Sequence, residues 1–167
     1  MLCLLVALVF RGNLVPFLAW NSTDARLFAA ASSLDTEDAL AALAAGANPD
    51  GYLDTDGTSA LIAASAHGAS DLVERLLDAG ASIDRQQEEG WTALMLASFM
   101  GHAETVQKLL GRGASIDLQA KSGRTALMMA CASAHLAAVS SLLDEVANAD
   151  LRYSCQQEPC GSCKSPL

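Results

Sequence analysis

Apolar residues in the middle of the chain form two stretches per unit, and the unit repeats every 33 residues. The first stretch is almost wholly apolar, as in ALIAASA, ALMLASF and ALMMACA. A helix that is apolar on every side must be covered on every side. The second stretch carries large apolar residues one turn apart on one face, for example Val106, Leu109 and Leu110. This pattern predicts an all-α fold built from stacked pairs of helices.

Polar residues and glycines mark the ends of these predicted helices. Ser59, Thr92 and Thr125 precede the first helix of a unit, where a hydroxyl can accept a hydrogen bond from a free amide. Glycines recur at the start of a unit, between its helices and after its second helix: Gly57, Gly90 and Gly123, then Gly68 and Gly101, then Gly80 and Gly113. These signals predict a helix, a turn, a second helix and a projecting turn in each unit.

The last unit departs from this pattern at two of its turns. Ala134 stands where the earlier units have the turn glycine, and Val146 stands where they have the closing glycine. Valine very rarely adopts the left-handed conformation that closes a helix. We therefore expect the last helix to extend or to close differently, and we expect this unit to be the least stable.

A partial copy of the unit precedes the three full ones. It begins at Asp24 and has the helical pattern without an opening glycine. A terminal repeat commonly departs from the pattern because one of its faces meets water. We place the repeat domain at residues 24–150 and expect four units, at residues 24–55, 56–88, 89–121 and 122–150.

The repeated motif resembles the ankyrin repeat. Its pattern is G-x-[ST]-A-L-[IM]-x-A followed by G-[AH]-x-[DE]-x-V-x-x-L-L-x-x-G-A-S-I-D. The resemblance covers residues 24–150 and implies helical hairpins stacked into a curved solenoid. Where the family usually has a histidine, this chain has Ile62, Met95 and Met128. We expect these three side chains to be buried, in place of the inter-repeat hydrogen bonds that the histidine makes.

Composition narrows the class of partner. The chain has 51 % hydrophobic residues but only 5 % aromatic residues, and its net charge is −9. A negative charge of this size repels phosphate backbones, so we expect no nucleic-acid partner. It suits a protein partner of basic or mixed charge. We expect the protein to be a monomer.

Side chains suited to catalysis do not converge in this sequence. His67, which we expect to be exposed, and the other two histidines are not paired with a cysteine or serine in a known arrangement. Asp84 and Asp117 recur at one position of the unit, so we interpret them as turn residues that accept hydrogen bonds from their own backbone. We expect no enzyme activity and no cofactor.

The two ends of the chain lie outside the repeats. Residues 1–23 contain an apolar run too short to span a membrane. Three interpretations stay open: an unstructured or surface-packed leader, a targeting or anchoring segment, and a wrong start site. Residues 151–167 form a polar tail with Cys155, Cys160 and Cys163. A structural zinc site needs four ligands, so we expect no metal here.

The resemblance implies that partners contact the residues around each opening glycine and at the end of each first helix. These positions are Thr55, Asp56, Thr58, Ala66 and His67 in the second unit, Glu88, Glu89, Trp91, Phe99 and Met100 in the third, and Lys121, Ser122, Arg124, Ala132 and Ser133 in the fourth. Large aromatic residues at the centre of an interface supply much of its energy. Two interpretations stay open: either Trp91, Phe99 and Met100 bind a partner, or they pack against the neighbouring unit and the hairpin.

We favour a cytoplasmic, non-catalytic module that binds a protein through the concave face of the stack. One alternative is a membrane-tethered or secreted protein directed by residues 1–20. Another is a fragment of a larger regulatory protein that carries a zinc module after its repeats.

Overall fold

The computed structural model describes residues 23–51 and 54–157, with side chains as far as residue 147, and this part of the chain contains helices and no strands. Its eight helices are α1 Thr23–Ser33, α2 Thr36–Ala44, α3 Ala60–Ala66, α4 Ser70–Asp78, α5 Ala93–Met100, α6 Ala103–Gly111, α7 Ala126–Ala132 and α8 Leu136–Gln157. They form four hairpins, which we number units 1 to 4. The predicted all-α stack of four units is confirmed.

The hairpins stack in two rows of helices. The first helices α1, α3, α5 and α7 contact one another in series, and the second helices α2, α4, α6 and α8 form a row behind them. Residues Ala60–Ser65 of α3 are all buried, because units 1 and 3 cover that helix from both sides. The core is therefore one continuous strip along the stack.

The predicted helix caps are present in all three full units. The side-chain oxygens of Ser59, Thr92 and Thr125 accept hydrogen bonds from backbone amides at 3.3, 3.2 and 3.4 Å. Each amide belongs to the third residue after the cap, which has no partner within the helix. A cap of this kind typically stabilises a helix by about 1 kcal/mol.

The turn between the two helices has the same backbone in every unit. Its φ angle is positive at Leu34 (62°), Gly68 (72°), Gly101 (81°) and Ala134 (58°). In units 2 and 3 the residue must be glycine, because a histidine of the next unit lies against it. A Cβ atom would come within 2.6 Å of Nδ1 of His102 at Gly68, and within 2.5 Å of the same atom of His135 at Gly101.

An aspartate at the end of a unit binds the next unit. The carboxylate of Asp84 accepts hydrogen bonds from the backbone amide of Ser115 at 2.8 Å and from its hydroxyl at 2.5 Å. Asp50 accepts the same pair of bonds from Ser82. Our expectation that Asp84 binds its own turn is wrong, because stacking brings a free amide and hydroxyl of the following unit within reach of it.

The last helix is much longer than its counterparts. α8 has 22 residues, whereas α4 and α6 have nine each. Val146 lies inside α8, so the predicted extension of this helix is confirmed. The helix also continues beyond residue 150, where we expected the repeats to end.

Burial at the position of the missing histidine depends on the unit. Ile62 and Met95 are each only 1 % exposed, as expected, but Met128 is 55 % exposed. The expectation was wrong for Met128, because in the described part of the chain no further unit covers unit 4 as unit 4 covers unit 3.

Several sequence predictions fall outside the described residues, namely most of the apolar leader and the pair Cys160 and Cys163. Across residues 23–51 and 54–157, the structure contains no helix with the length and apolar character needed to cross a membrane.

Candidate functional site

Three hairpin turns project between consecutive units and form one row. In each, the amide of the opening glycine donates to a carbonyl three residues earlier: Gly57 to Asp54 at 2.9 Å, Gly90 to Gln87 at 2.8 Å and Gly123 to Ala120 at 2.8 Å. Backbone bonds also join neighbouring turns, from Glu88 to Asp56 at 2.8 Å and from Lys121 to Glu89 at 2.9 Å. The three turns are therefore joined by backbone hydrogen bonds, which fix the backbone positions from which their side chains project.

Two glutamines that were not among the predicted site residues form hydrogen bonds within this row. The side-chain amide of Gln86 donates to the carbonyl oxygens of Gly90 at 2.8 Å and Gln119 at 2.9 Å, so it bridges two hairpins. The hydroxyl of Thr58 donates to Oε1 of Gln87 at 3.1 Å. Gln86 and Gln119 are 33 residues apart, which is the signal that could have identified this position.

Most of the predicted contact residues reach the surface. Exposed side chains are those of Thr55, Asp56, His67, Glu88, Glu89, Phe99, Met100, Lys121, Ser122, Arg124 and Ala132, whereas those of Thr58, Ala66, Trp91 and Ser133 are half-buried. His67 is exposed as predicted and follows the last residue of α3. Near it, Nε2 of His102 lies 3.1 Å from the carbonyl oxygen of Ala66, so His102 serves the contact between units.

Unit 3 carries an exposed apolar cluster beside the row. The rings of Trp91 and Phe99 meet edge to face, with centroids 5.5 Å apart and planes at 78°. This is a favoured geometry for an aromatic pair. Trp91 is half-buried and packs on the core, whereas Phe99 and Met100 are exposed. The structure thus holds Phe99 against an anchored ring and leaves Phe99 and Met100 open to solvent.

The charge of the row changes sign along the stack. Asp56 lies on the first of the three hairpin turns, Glu88 and Glu89 lie on the second, and Lys121 and Arg124 lie on the third. Within the described residues none of these five exposed charges takes part in an ion pair. The first two hairpin turns therefore carry negative charge and the third carries positive charge.

A second charged region lies on the second helices. A groove of about 540 Å³ is lined by Thr36, Leu40, Asp71, Leu72, Glu74, Arg75, Asp78 and Arg112. Beside it, Nζ of Lys108 pairs with Asp71 at 3.1 Å, Glu74 at 3.3 Å and Glu104 at 3.4 Å. The hydrogen bond to Asp71, with those to Glu74 and Glu104, raises the pKa of Lys108 above the ordinary 10.5. Lys108 thus shares one positive charge among three carboxylates, and Arg112 pairs with Asp78.

Metal-binding and nucleophilic groups are scattered. In the part of the chain that the structure describes, no three His, Cys, Asp or Glu side chains cluster in a way that could hold a metal ion. Cys131 is a free, exposed cysteine on α7.

Comparison with known families agrees with this architecture. A family model for three ankyrin repeats matches residues 27–120, and a model for one ankyrin repeat matches residues 122–154. The chain belongs to the ankyrin repeat family. None of the curated proteins compared with the chain matches it. Ankyrin repeats are in general protein-interaction modules and are typically non-catalytic. The fourth ankyrin repeat extends to residue 154, within the long α8.

Proposed function

We propose that this ankyrin stack binds a segment of another protein along its hairpins and catalyses no reaction. We call the contact area the hairpin-row surface, made of Asp56, Glu88, Glu89, Phe99, Met100, Lys121 and Arg124. The observation that carries the proposal is the exposed Phe99, whose ring meets that of Trp91 and which is followed by the exposed Met100. The nearby Glu88 and Glu89 form no ion pair within the described part of the chain. Buried aromatic anchors commonly dominate the energy of protein interfaces.

The charges on the hairpin-row surface define the chemistry of the partner. An apolar side chain of the partner covers Phe99 and Met100, and a lysine or arginine next to it meets Glu88 and Glu89. Farther along, an acidic residue meets Lys121 and Arg124. Complementary charge of this kind steers association and fixes the orientation of the partner. The partner segment is therefore basic where it crosses the first two hairpin turns and acidic where it crosses the third.

A quantitative affinity capture tests the apolar part of this surface. Wild-type protein is compared with the double variant Phe99→Ala/Met100→Ala and with Leu40→Ala. Leu40 is an exposed apolar residue on α2, outside the hairpin-row surface, so its variant controls for general stickiness. We expect partners that Leu40→Ala retains to bind the double variant at least about tenfold more weakly, a loss of about 1.4 kcal/mol. Equal capture by all three proteins would rule out this surface.

Charge reversal tests the polarity of the partner. Glu88→Lys/Glu89→Lys is compared with Glu37→Lys, which changes an exposed carboxylate on α2. We expect the first variant to lose affinity for the captured partner and to lose most of the dependence of association on salt, since exposed charges act through a screened field. If both variants bind as the wild type does, the glutamates do not contact the partner.

A further inference from the structure

The third hairpin turn carries two positive charges that no carboxylate of the described chain neutralises. Lys121 and Arg124 stand at its two ends, are both exposed, and take part in no ion pair among the described residues. The chain has 19 acidic and only 10 basic residues, and Arg26, Lys108 and Arg112 are each paired with carboxylates. The two cations of this turn are therefore available to an anion from outside the chain.

The corresponding turn of unit 2 shows where an anion sits on this backbone. The first and third hairpin turns form the same two backbone hydrogen bonds, at 2.9 and 3.0 Å in unit 2 and at 2.8 and 3.0 Å in unit 4. In unit 2, a carboxylate oxygen of Asp56 accepts a hydrogen bond from the backbone amide of Thr58 at 3.3 Å. In unit 4, Ser122 stands in place of Asp56, and the corresponding amide of Arg124 has no hydrogen-bond partner within the part of the chain that the structure describes. The third turn thus keeps the donor that holds an anion in unit 2 but supplies no anion of its own.

The third turn is also open on the side where the other two turns are covered. A Cβ atom at Gly57 would lie 3.6 Å from the backbone nitrogen of Glu88, and one at Gly90 would lie 2.9 Å from that of Lys121, because the next turn packs there. A Cβ atom at Gly123 would meet no atom of the described residues within 4 Å. An anion can therefore approach the backbone of this turn closely, next to its two cationic side chains.

We propose that this turn binds the phosphate group of a phosphorylated serine or threonine in the partner segment. The inference rests on the proposed function, and it names the acidic residue that meets Lys121 and Arg124. A phosphate monoester carries roughly 1.5–2 negative charges at about pH 7 and offers three strong acceptor oxygens. These match two cations, the free amide of Arg124 and the exposed hydroxyl of Ser122. Hydrogen bonds between ionised groups are about twice as strong as neutral ones.

The charge of the whole chain selects a single phosphate group over a polyanion. The net charge is −9, and Glu88 and Glu89 lie on the neighbouring turn. A nucleic acid or an anionic membrane brings many negative charges within reach of these carboxylates, whereas an isolated phosphate meets the chain only at the third turn. The partner is therefore a protein segment in which one phosphorylated residue lies near a basic residue that meets Glu88 and Glu89.

Titration of the full chain, followed by nuclear magnetic resonance, tests the proposal. The probe is N-acetyl-O-phosphoserine amide, and the comparison probes are N-acetylserine amide and N-acetylaspartate amide. We expect the phosphorylated probe to shift the backbone amide signals of Ser122 and Arg124 until they saturate. It should bind at least about tenfold more tightly than the aspartate probe, because it carries more charge and more acceptor oxygens. The serine probe should not shift these signals.

Three variants that each remove one positive charge locate the site. Lys121→Met and Arg124→Met should each weaken binding of the phosphorylated probe at least about tenfold, since each removes a charged donor. Arg75→Met is the matched control, because Arg75 is an exposed arginine of α4 that takes part in no ion pair within the described residues. It should bind the probe as the wild type does. Equal weakening in all three variants would show only the effect of net charge and would overturn the site.

The outcomes distinguish a failure of this proposal from a failure of the proposed function. The probe has no apolar side chain, so the affinity capture with Phe99→Ala/Met100→Ala tests a separate part of the surface. If the phosphorylated probe does not bind, or binds no more tightly than the serine probe, the proposal is wrong even where the capture succeeds. Sedimentation of the chain with phosphatidylserine vesicles, without binding of the probe, would also overturn it. If the probe binds but the capture is equal in all variants, phosphate recognition by this turn stands and the apolar contact fails.

Discussion

A single backbone position shows how neighbouring units constrain one residue. The turn residue is left-handed in all four units, yet it is leucine, glycine, glycine and alanine in turn. Glycine occurs in the two units where the ring of His102 or His135 fills the space of a Cβ atom. At Ala134 the chain adopts the same conformation with a Cβ atom, which costs roughly 1–2 kcal/mol relative to a relaxed residue.

This difference predicts opposite effects for two reciprocal substitutions. Ala134→Gly should raise the free energy of unfolding by about 0.5–1 kcal/mol, because relief of the left-handed strain exceeds the added entropy of the unfolded chain. Gly101→Ala should lower it by more than about 1 kcal/mol, because the new methyl group strains the backbone and displaces His135. Urea unfolding of both variants measures the two changes. A destabilised Ala134→Gly would show that this turn carries no strain.

At the scale of the helix, one lysine forms ion pairs between two neighbouring second helices. Lys108 of α6 meets Asp71 and Glu74 of α4, and its raised pKa reports that these contacts favour the charged amine. Because the pKa is raised on folding, the stabilisation is present below pH 10.5 and is lost as the pH rises through the folded value. The contact lies at the surface, so it is also screened by salt.

We predict that the wild type loses more stability than Lys108→Met when the pH is raised above 10.5. Thermal unfolding on both sides of that pH measures this difference. Lys121→Met is the matched control, because Lys121 is exposed and takes part in no ion pair within the described residues. The stability of Lys121→Met should fall with rising pH by as much as that of the wild type. Identical pH profiles for Lys108→Met and the wild type would mean that the ion pairs do not stabilise the fold.

The first helices allow a comparison of one side chain in two settings. Leu94 in α5 is fully buried between units 2 and 4, whereas Leu127, the same position in α7, is half-buried. Leu94→Ala should lower the free energy of unfolding by about 2–5 kcal/mol, since it leaves a cavity that the neighbours cannot fill. Leu127→Ala should cost clearly less, because part of that side chain already meets solvent. Chemical denaturation compares the two, and equal losses would show that unit 4 is covered as fully as unit 3.

Features that depend on a single unit could be predicted from the sequence. Features that depend on contacts with a neighbouring unit were predicted wrongly. The caps at Ser59, Thr92 and Thr125 and the extension of α8 through Val146 follow from local chemistry. The partner of Asp84 and the exposure of Met128 depend on what lies across the stacking interface, which the pattern within a unit does not contain.

The sequence likewise predicted the exposure of residues in the candidate site but not the contacts between them. The exposure of Glu88, Glu89, Phe99 and Met100 was anticipated from their positions in the unit. The contact between Trp91 and Phe99 was not, because it depends on which way the Trp91 side chain turns before α5 begins. The two hydrogen bonds of Gln86 were not predicted either, because a side chain that bridges two hairpin turns cannot be recognised from the pattern within one unit.

For the whole molecule, stability follows from the number of neighbours that each unit has. In a linear stack, it is approximately the sum of the intrinsic terms of the units and of the interfaces between them. Units 2 and 3 each have two such interfaces, whereas unit 4 has one in the described part of the chain. Unit 4 also contains the strained Ala134 and the exposed Met128. Unit 4 should therefore open before units 2 and 3.

Amide hydrogen exchange tests this order of opening directly. At low protein concentration we expect the amides of residues 124–147 to exchange faster than those of α5 and α6, because local opening of unit 4 disrupts one interface instead of two. Ala134→Gly should slow exchange in unit 4 and leave units 2 and 3 nearly unchanged. Protection in unit 4 equal to that in unit 3 would contradict the nearest-neighbour account.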